Sequence, residues 1–226
     1  MALDIKFKEK HYKKSRFGTK SEADLAEFKK QNITQDLNEA KSVAINNIEF
    51  QSKILRDKKE LIEIPKQNSF LHIITQKQIN AFTIILSFLQ KGDIDFLQIM
   101  SYTIDETTCH TLAHLLETGR IKRLQIIMTE TASFRIPNIY KLLKGTFSEN
   151  RNCNLVFYWV HSKIHLVEMG YNKYVIDGSG NFSQNAQVEH YNIFNIKDMF
   201  DFHYKLSHDF FMGEKLRKNH EIYKNF

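Results

Sequence analysis

Short apolar runs alternate with amphipathic stretches from residue 69 to the end of the chain. Residues 69–75 (SFLHIIT) are apolar and bounded by polar residues, which is typical of a strand. Residues 77–92 carry apolar side chains at close to helical spacing and end at a glycine, which indicates a helix. In the next amphipathic stretch, Asp105 is a candidate N-cap and Gly119 a candidate stop. The pattern predicts strands at 69–75, 94–102, 122–130, 153–169 (one long or bent strand, or two), 173–176 and 188–196, and helices at 77–92, 105–120, 138–148 and 197–220.

Alternating strands and helices favour an α/β fold, in which helices flank a mixed, largely parallel β-sheet. The N-terminal region differs from this pattern. Residues 1–20 are polar and rich in lysine, residues 21–62 are weakly amphipathic, and Pro65 cannot continue a helix. We therefore divide the chain into a basic, mostly helical N-terminal extension (1–65) and an α/β domain (66–226).

Composition and charge narrow the classes of function. Of the 226 residues, 42% are hydrophobic and only 2 are proline, so we expect a packed core rather than disorder. The net charge of +6 suits a polyanionic partner: nucleic acid, an anionic membrane surface or a phosphorylated substrate. Cys109 and Cys153 form no CxxC pair, and no run is long enough for a membrane span or has the form of a secretory signal. These features predict a cytoplasmic protein without a membrane span.

A histidine and a lysine precede a glycine-rich turn. His161 and Lys163 are two apart in a predicted strand, so their side chains would leave the same face. The turn 178–181 (GSGN) follows the next predicted strand, and its two glycines permit tight or left-handed backbone. If the two strands are neighbours, Ser179 and Asn181 join the histidine and lysine. This set suits a phosphodiester: lysine supplies positive charge, the hydroxyl and amide donate to phosphoryl oxygens, and histidine acts as nucleophile or proton shuttle. No metal or other cofactor is expected, because the lysine and the donors neutralise the charge.

These residues resemble the signature of the phospholipase D superfamily, H-x-K-x4-D followed by a G-S-x-N turn. The chain reads His161-Ser162-Lys163, then four residues, then Glu168, where the family usually has Asp. The glycine turn then follows at a slightly longer spacing than usual. H-x-K also occurs at 11–13 and 203–205, but only the copy at 161 has an apolar run before it and the turn after it. The resemblance covers roughly residues 69–211.

The resemblance implies a role for each matched residue. His161 would attack phosphorus and form a covalent phosphohistidine. Lys163 and Asn181 would bind the phosphoryl oxygens with help from Ser179, and Glu189 would orient a histidine. Additional substrate contacts would come from Gly178, Gly180 and Glu168.

A second histidine must protonate the leaving group, and family enzymes take it from a second motif copy. This chain has one convincing copy, so the resemblance implies that the partner is His161 of another subunit. A twofold homodimer would then build the active site across its axis.

The sequence thus predicts a metal-independent phosphodiester hydrolase, most simply a homodimeric endonuclease acting on DNA or RNA. Two alternatives stay open: a phospholipase or phosphatidyl-transfer enzyme, and a catalytically silent nucleic-acid-binding protein on the same scaffold. His110 and His114 have helical zinc-like spacing, but the central Glu of HExxH and a third ligand are missing.

Overall fold

One nine-stranded mixed sheet organises the fold. The computed structural model describes residues 49–55, 62–75, 79–183, 188–212 and 221–223, with side chains only from 62 to 211. The strands follow the order β1-β2-β8-β7-β6-β3-β4-β5-β9 across the sheet. Their bounds are β1 Glu49–Leu55, β2 Ser69–Thr75, β3 Phe96–Ser101, β4 Leu124–Thr129, β5 Cys153–Tyr158, β6 Ile164–Met169, β7 Asn172–Gly178, β8 Glu189–Phe194 and β9 Glu221–Tyr223.

Five helices lie within the described residues. Asp105 caps one of them as predicted, because its side chain accepts a hydrogen bond from Thr108 N at 2.8 Å. Gly119 follows that helix with a φ of 72°, which confirms it as the stop. The bounds are α1 Ala81–Leu89, α2 Glu106–Glu117, α3 Ala132–Arg135, α4 Pro137–Phe147 and α5 Lys197–Met212.

The sheet is mixed, as predicted, but has fewer parallel pairs than expected. The pairs β1–β2, β3–β4 and β4–β5 are parallel, and the other five are antiparallel. Short connections favour antiparallel pairs, because two parallel strands require a long crossover between them. A two-residue turn, Gly170 and Tyr171, joins β6 to β7, and the glycine has a φ of 58°.

One strand replaces predicted helical structure. β1 lies within the segment 1–65 assigned to the N-terminal extension, yet it pairs with β2 along seven residues. β9, which was not predicted, pairs with β5 directly after the residues assigned to the last helix, 197–220. In both cases an open sheet edge offers backbone hydrogen-bond partners that the local sequence pattern does not anticipate. Residues 1–48, with the predicted basic arm, lie outside the described residues, and the division at residue 65 otherwise stays a prediction.

The core has a layer on each face of the sheet. Helices α1, α2 and α4 contribute Phe88, Leu112 and Phe147 to the larger layer, and α5 contributes Phe200 and Phe211 to the other. Every residue of β3, β4 and β5 is buried, which explains why these strands read as nearly continuous apolar runs. The free thiols Cys109 and Cys153 lie in the larger layer.

The strand ends that carry the polar motif lie together on one side of the sheet. The parallel strands β3, β4 and β5 finish at this edge. β6 starts there, β7 finishes there, and β8 starts there, because each is antiparallel to its neighbour. We call this end of the strands the carboxyl edge, as distinct from the outer strands of the sheet. None of the described helices is long and apolar enough to cross a bilayer.

At the opposite edge, Asp95 accepts hydrogen bonds from two other segments of the chain. These bonds make the free energy of unfolding depend on pH. The Asp95 carboxylate accepts hydrogen bonds from Lys122 Nζ at 2.6 Å and from Gly170 N at 2.7 Å. The hydrogen bond from Lys122, and then that from Gly170, lower the pKa of Asp95 below its ordinary value of 3.8. Because the folded-state pKa is the lower one, this contribution is complete above the unfolded pKa and is lost as pH falls through the folded pKa.

We predict that Asp95→Asn is less stable than the native chain near pH 6, and that the difference shrinks as pH falls below about 4. Urea unfolding between pH 6 and pH 2 measures it. Asp209→Asn, which removes an exposed carboxylate from α5, controls for the loss of one surface charge. A difference that is the same at every pH would contradict the assignment.

Candidate active site at the carboxyl edge

The predicted nucleophile and lysine lie in the connection 159–163, not within a strand as expected. β5 and β6 are separated by β4 and β3, so the chain must cross the carboxyl edge before β6 begins. Lys163 folds back on the histidine, with its Nζ 3.4 Å from Nδ1 of His161 and 3.0 Å from the His161 carbonyl oxygen. The imidazole is exposed and the ammonium is half-buried. The two groups therefore present one combined surface to an anion.

An aromatic and a cationic side chain extend this surface. Sequence reasoning missed both. The ring of Tyr102, directly after β3, lies 5.0 Å from the ring of His161, at 55° between planes. The guanidinium carbon of Arg135, at the end of α3, is 5.7 Å from the Tyr102 ring. Both residues follow buried parallel strands, and side chains just beyond such strands commonly form binding sites. That position was the signal that could have found them.

The glycine turn forms hydrogen bonds on both sides, to Lys163 just before β6 and to β8. Gly178 N donates to Lys163 O at 3.3 Å, which brings the turn to the lysine and confirms that the two strands are neighbours. Ser179 is held by β8: its hydroxyl donates to the carboxylate of Glu189, and its amide donates to His190 O at 3.1 Å. The serine hydroxyl is thus directed at a carboxylate in this state.

The glycines are required by close packing, not by left-handed backbone. Neither Gly178 nor Gly180 has a positive φ, so of the two expected reasons for glycine, tight or left-handed backbone, the left-handed one does not apply. A Cβ on Gly178 would lie 2.6 Å from Cδ1 of Tyr191 and 2.4 Å from His190 O, and one on Gly180 would lie 1.8 Å from the Tyr191 hydroxyl. The Tyr191 ring therefore fills the space of two missing side chains. It is fully buried, burial raises the pKa of its phenol, and the hydroxyl has no hydrogen-bond partner among the described residues.

Asn181 reaches the end of β3. Its Oδ1 lies 3.4 Å from Ser101 Oγ, and the next residue, Phe182, donates its amide to Thr103 O at 3.1 Å. The carbonyl oxygen of Asn181 accepts from Ala81 N at the start of α1. The side-chain amide nitrogen makes no hydrogen bond to any described residue, so it remains a donor for a ligand.

The structure leaves one predicted site residue outside the cluster. Glu168 is five residues beyond Lys163, roughly 17 Å along β6. Its carboxylate is 3.8 Å from Arg123 Nη2, at the opposite edge. The remaining predicted residues are linked at the carboxyl edge by contacts between neighbours. They are His161, Lys163, Gly178, Ser179, Gly180, Asn181 and Glu189.

Burial, or a position on another face or element, distinguishes three other histidines from His161. His165 is fully buried against Phe182, and burial lowers its pKa to about 3. His190 lies on the face of β8 opposite Tyr191, with its ring 6.3 Å from that of His72. His110 is exposed on α2, with its Nε2 3.6 Å from Oε1 of Glu106.

Comparison with known proteins finds solved structures with a similar fold. No family model and no curated protein sequence matches the chain. A crystal structure of a phospholipase D family member, Nuc from Salmonella typhimurium, has a TM-score of 0.47 at 15% identity and covers 64% of this chain and 91% of that one. Phosphatidylserine synthase from Haemophilus influenzae Rd KW20 has a TM-score of 0.49 at 13% identity, over 68% of this chain and 39% of that one. TrmBL2, an archaeal chromatin protein whose structure shows a novel mode of DNA binding, has a TM-score of 0.45 at 8% identity, over 86% and 65%.

A protein of the phospholipase D family is thus among the structures similar in fold. At these identities and TM-scores the likeness concerns the fold alone. The chemistry of this chain rests on its own residues.

We predict that Gly180→Ala displaces Asn181 and lowers the free energy of unfolding by about 1–3 kcal/mol, because its Cβ collides with the Tyr191 hydroxyl. Adding Tyr191→Phe removes the closest atom and should restore a substantial part of the loss, although Cζ would still be 2.7 Å from the Cβ. Urea unfolding of the single and double variants measures the coupling.

Gly145→Ala is the matched control, since no atom lies within 4 Å of its added Cβ in α4. It should stabilise the chain by about 0.5–1 kcal/mol. Equal effects at both glycines, or strict additivity of Gly180→Ala with Tyr191→Phe, would show that Tyr191 does not shape the turn.

Proposed function

We propose that the protein is a metal-independent phosphodiesterase, a homodimeric endonuclease that cleaves nucleic acid through a phosphohistidine. The observation that carries the proposal is the approach of Lys163 Nζ to 3.4 Å from His161 Nδ1, beside a turn hydrogen-bonded to the lysine backbone. An exposed imidazole and an adjacent ammonium suit attack on an anionic phosphorus centre. The net charge of +6 fits a polyanionic substrate.

Each group has a defined part in the proposed reaction. The ammonium of Lys163 turns from the imidazole to a phosphoryl oxygen, and the free amide of Asn181 donates to another. Nδ1 of His161 then carries the ring proton, and Nε2 attacks phosphorus as the bond to the leaving oxygen breaks. The carboxylate of Glu189 orients the site through Ser179. Water later attacks phosphorus and gives its proton to the imidazole that had protonated the leaving oxygen, while the bond from phosphorus to Nε2 breaks and releases the second product.

The leaving oxygen requires a proton from a second imidazole. Among the described residues, His165 is held neutral by burial and His190 lies on the other face of its strand. The exposure of His161 at a sheet edge allows a second copy of the chain to bring its own His161 to the same phosphate. We therefore propose one active site per dimer, with one imidazole attacking and the other protonating.

We predict cleavage of plasmid DNA or RNA in the presence of EDTA, and a loss of at least about a thousandfold in His161→Ala because the nucleophile is removed. His110→Ala, which alters an exposed histidine on α2, should cleave like the native chain. Gel electrophoresis of the products measures both.

Two other outcomes would replace the proposal. Hydrolysis of phosphatidylcholine vesicles without nucleic-acid cleavage would identify a phospholipase. Binding of nucleic acid without cleavage by the native chain would identify a silent binding protein.

We further predict that mixed dimers reveal the shared site. When native and His161→Ala chains are co-expressed with different tags, activity should fall as the square of the native fraction, because only native homodimers hold both imidazoles. Cleavage rates over a series of ratios measure the dependence. A linear fall would show that each subunit acts alone.

A further inference from the structure

An arginine outside the motif lies one aromatic ring away from the nucleophile. The guanidinium carbon of Arg135 is 5.7 Å from the centre of the Tyr102 ring, and that centre is 5.0 Å from the centre of the His161 ring. The guanidinium can therefore be no farther from the imidazole than these two distances combined. No step of the proposed reaction uses this cation.

The charge of Arg135 is not compensated within the described part of the chain. The residue is exposed, and none of the described carboxylates forms an ion pair with it. The Tyr102 ring attracts the guanidinium through its quadrupole but does not neutralise it. The five N–H donors of an arginine side chain match the oxygens of a phosphate. The guanidinium is thus free to bind one.

Hydrogen bonds hold the backbone at both of these positions. Arg135 N donates to Thr131 O at 2.9 Å, shortly after buried β4. On either side of Tyr102, Ser101 Oγ donates to Thr103 O at 2.8 Å. A cation carried on such fixed backbone is preorganised relative to the imidazole.

A second cation one ring away from the nucleophile suits a substrate with more than one phosphate. In the proposed reaction Lys163, with its Nζ 3.4 Å from Nδ1 of His161, already supplies positive charge at the scissile phosphate. Phosphatidylcholine has a single phosphate and a cationic headgroup, which a second cation repels. A nucleic-acid strand carries one charge for each nucleotide, so the phosphate next to the scissile one comes within the reach of Arg135.

From this arrangement we propose that Arg135, with Tyr102 between it and the nucleophile, binds the phosphate next to the scissile one on the same strand. This inference rests on the proposed function and names a requirement of its substrate, a second negative charge one nucleotide away. Arg135 is then a specificity-determining residue that favours oligonucleotides over substrates with one phosphate.

A salt series counts the phosphates that the chain contacts. Binding of a labelled oligothymidylate to His161→Ala is measured by fluorescence anisotropy at several salt concentrations. Each phosphate contact on a single strand steepens the dependence of log affinity on log salt concentration by about 0.7. Adding Arg135→Gln should reduce the slope by about that amount and weaken binding roughly three- to thirtyfold. Arg151→Gln, which removes an exposed arginine just before β5 at the opposite edge, is the matched control and should leave the slope unchanged.

Kinetics on two substrates separate this contact from a structural role. Bis(4-nitrophenyl) phosphate has one phosphate, so Arg135→Gln should keep kcat/KM for it within about twofold of the native value. For the oligothymidylate the same variant should lower kcat/KM roughly three- to thirtyfold. Neutral methylphosphonates in place of the neighbouring phosphates should cause a similar loss in the native chain and little further loss in Arg135→Gln.

Failure of this inference differs from failure of the proposed function. Cleavage with an unchanged salt slope and unchanged kcat/KM in Arg135→Gln would overturn the inference and leave the nuclease. An equal loss on both substrates would also overturn it, because Arg135 would then act at the scissile phosphate or on the fold. A reduced slope without cleavage by the native chain would support the phosphate contact and overturn the nuclease. If the oligothymidylate does not bind at all, both are wrong.

Discussion

The packing of Tyr191 against a turn without side chains is the constraint on which the candidate site depends. Its ring occupies the space of two absent Cβ atoms, at Gly178 and Gly180, and so sets the distance between β8 and the turn. Ser179 between them is directed to Glu189, and Asn181 after them reaches the end of β3. The buried hydroxyl, unpartnered within the described residues, has a desolvation cost of order 1–3 kcal/mol. Other contacts of the ring must offset this cost.

A second constraint is the crossing from β5 to β6. Five residues must pass the ends of β4 and β3, which leaves the chain at the surface of the carboxyl edge. From His161 through Lys163 to His165, alternate side chains go from exposed to half-buried to fully buried. The third of these is held neutral by burial and packs against Phe182 in the core. The motif thus joins the candidate site to the core.

Local pattern predicted most of the elements, whereas their arrangement depends on distant partners. The strand at Ser69–Thr75 and the cap at Asp105 follow from short-range signals, and both were found as predicted. The place of β6 beside β3 could not be derived, because strand order is decided by pairing between segments far apart in sequence. The motif located the histidine, the lysine and the turn. The motif did not explain the glycines, because the side chain that requires them, Tyr191, lies eleven residues after Gly180. It also placed Glu168 in the site, whereas Glu168 lies near the other end of β6, beside Arg123.

The openness of the candidate site is more compatible with the polymeric substrate proposed above than with a small ligand. Small ligands gain affinity from enclosure, which buries most of their surface. Here the imidazole is exposed at a sheet edge, and a cavity of about 610 Å³ lies elsewhere, lined in part by Lys66, Lys91 and Met169 near the β6–β7 turn. A shallow centre can hold its reacting phosphate firmly only if neighbouring parts of the same molecule make additional contacts. The nucleic-acid substrate proposed above would supply such contacts along the carboxyl edge, because each nucleotide offers both a charge and a stacking face.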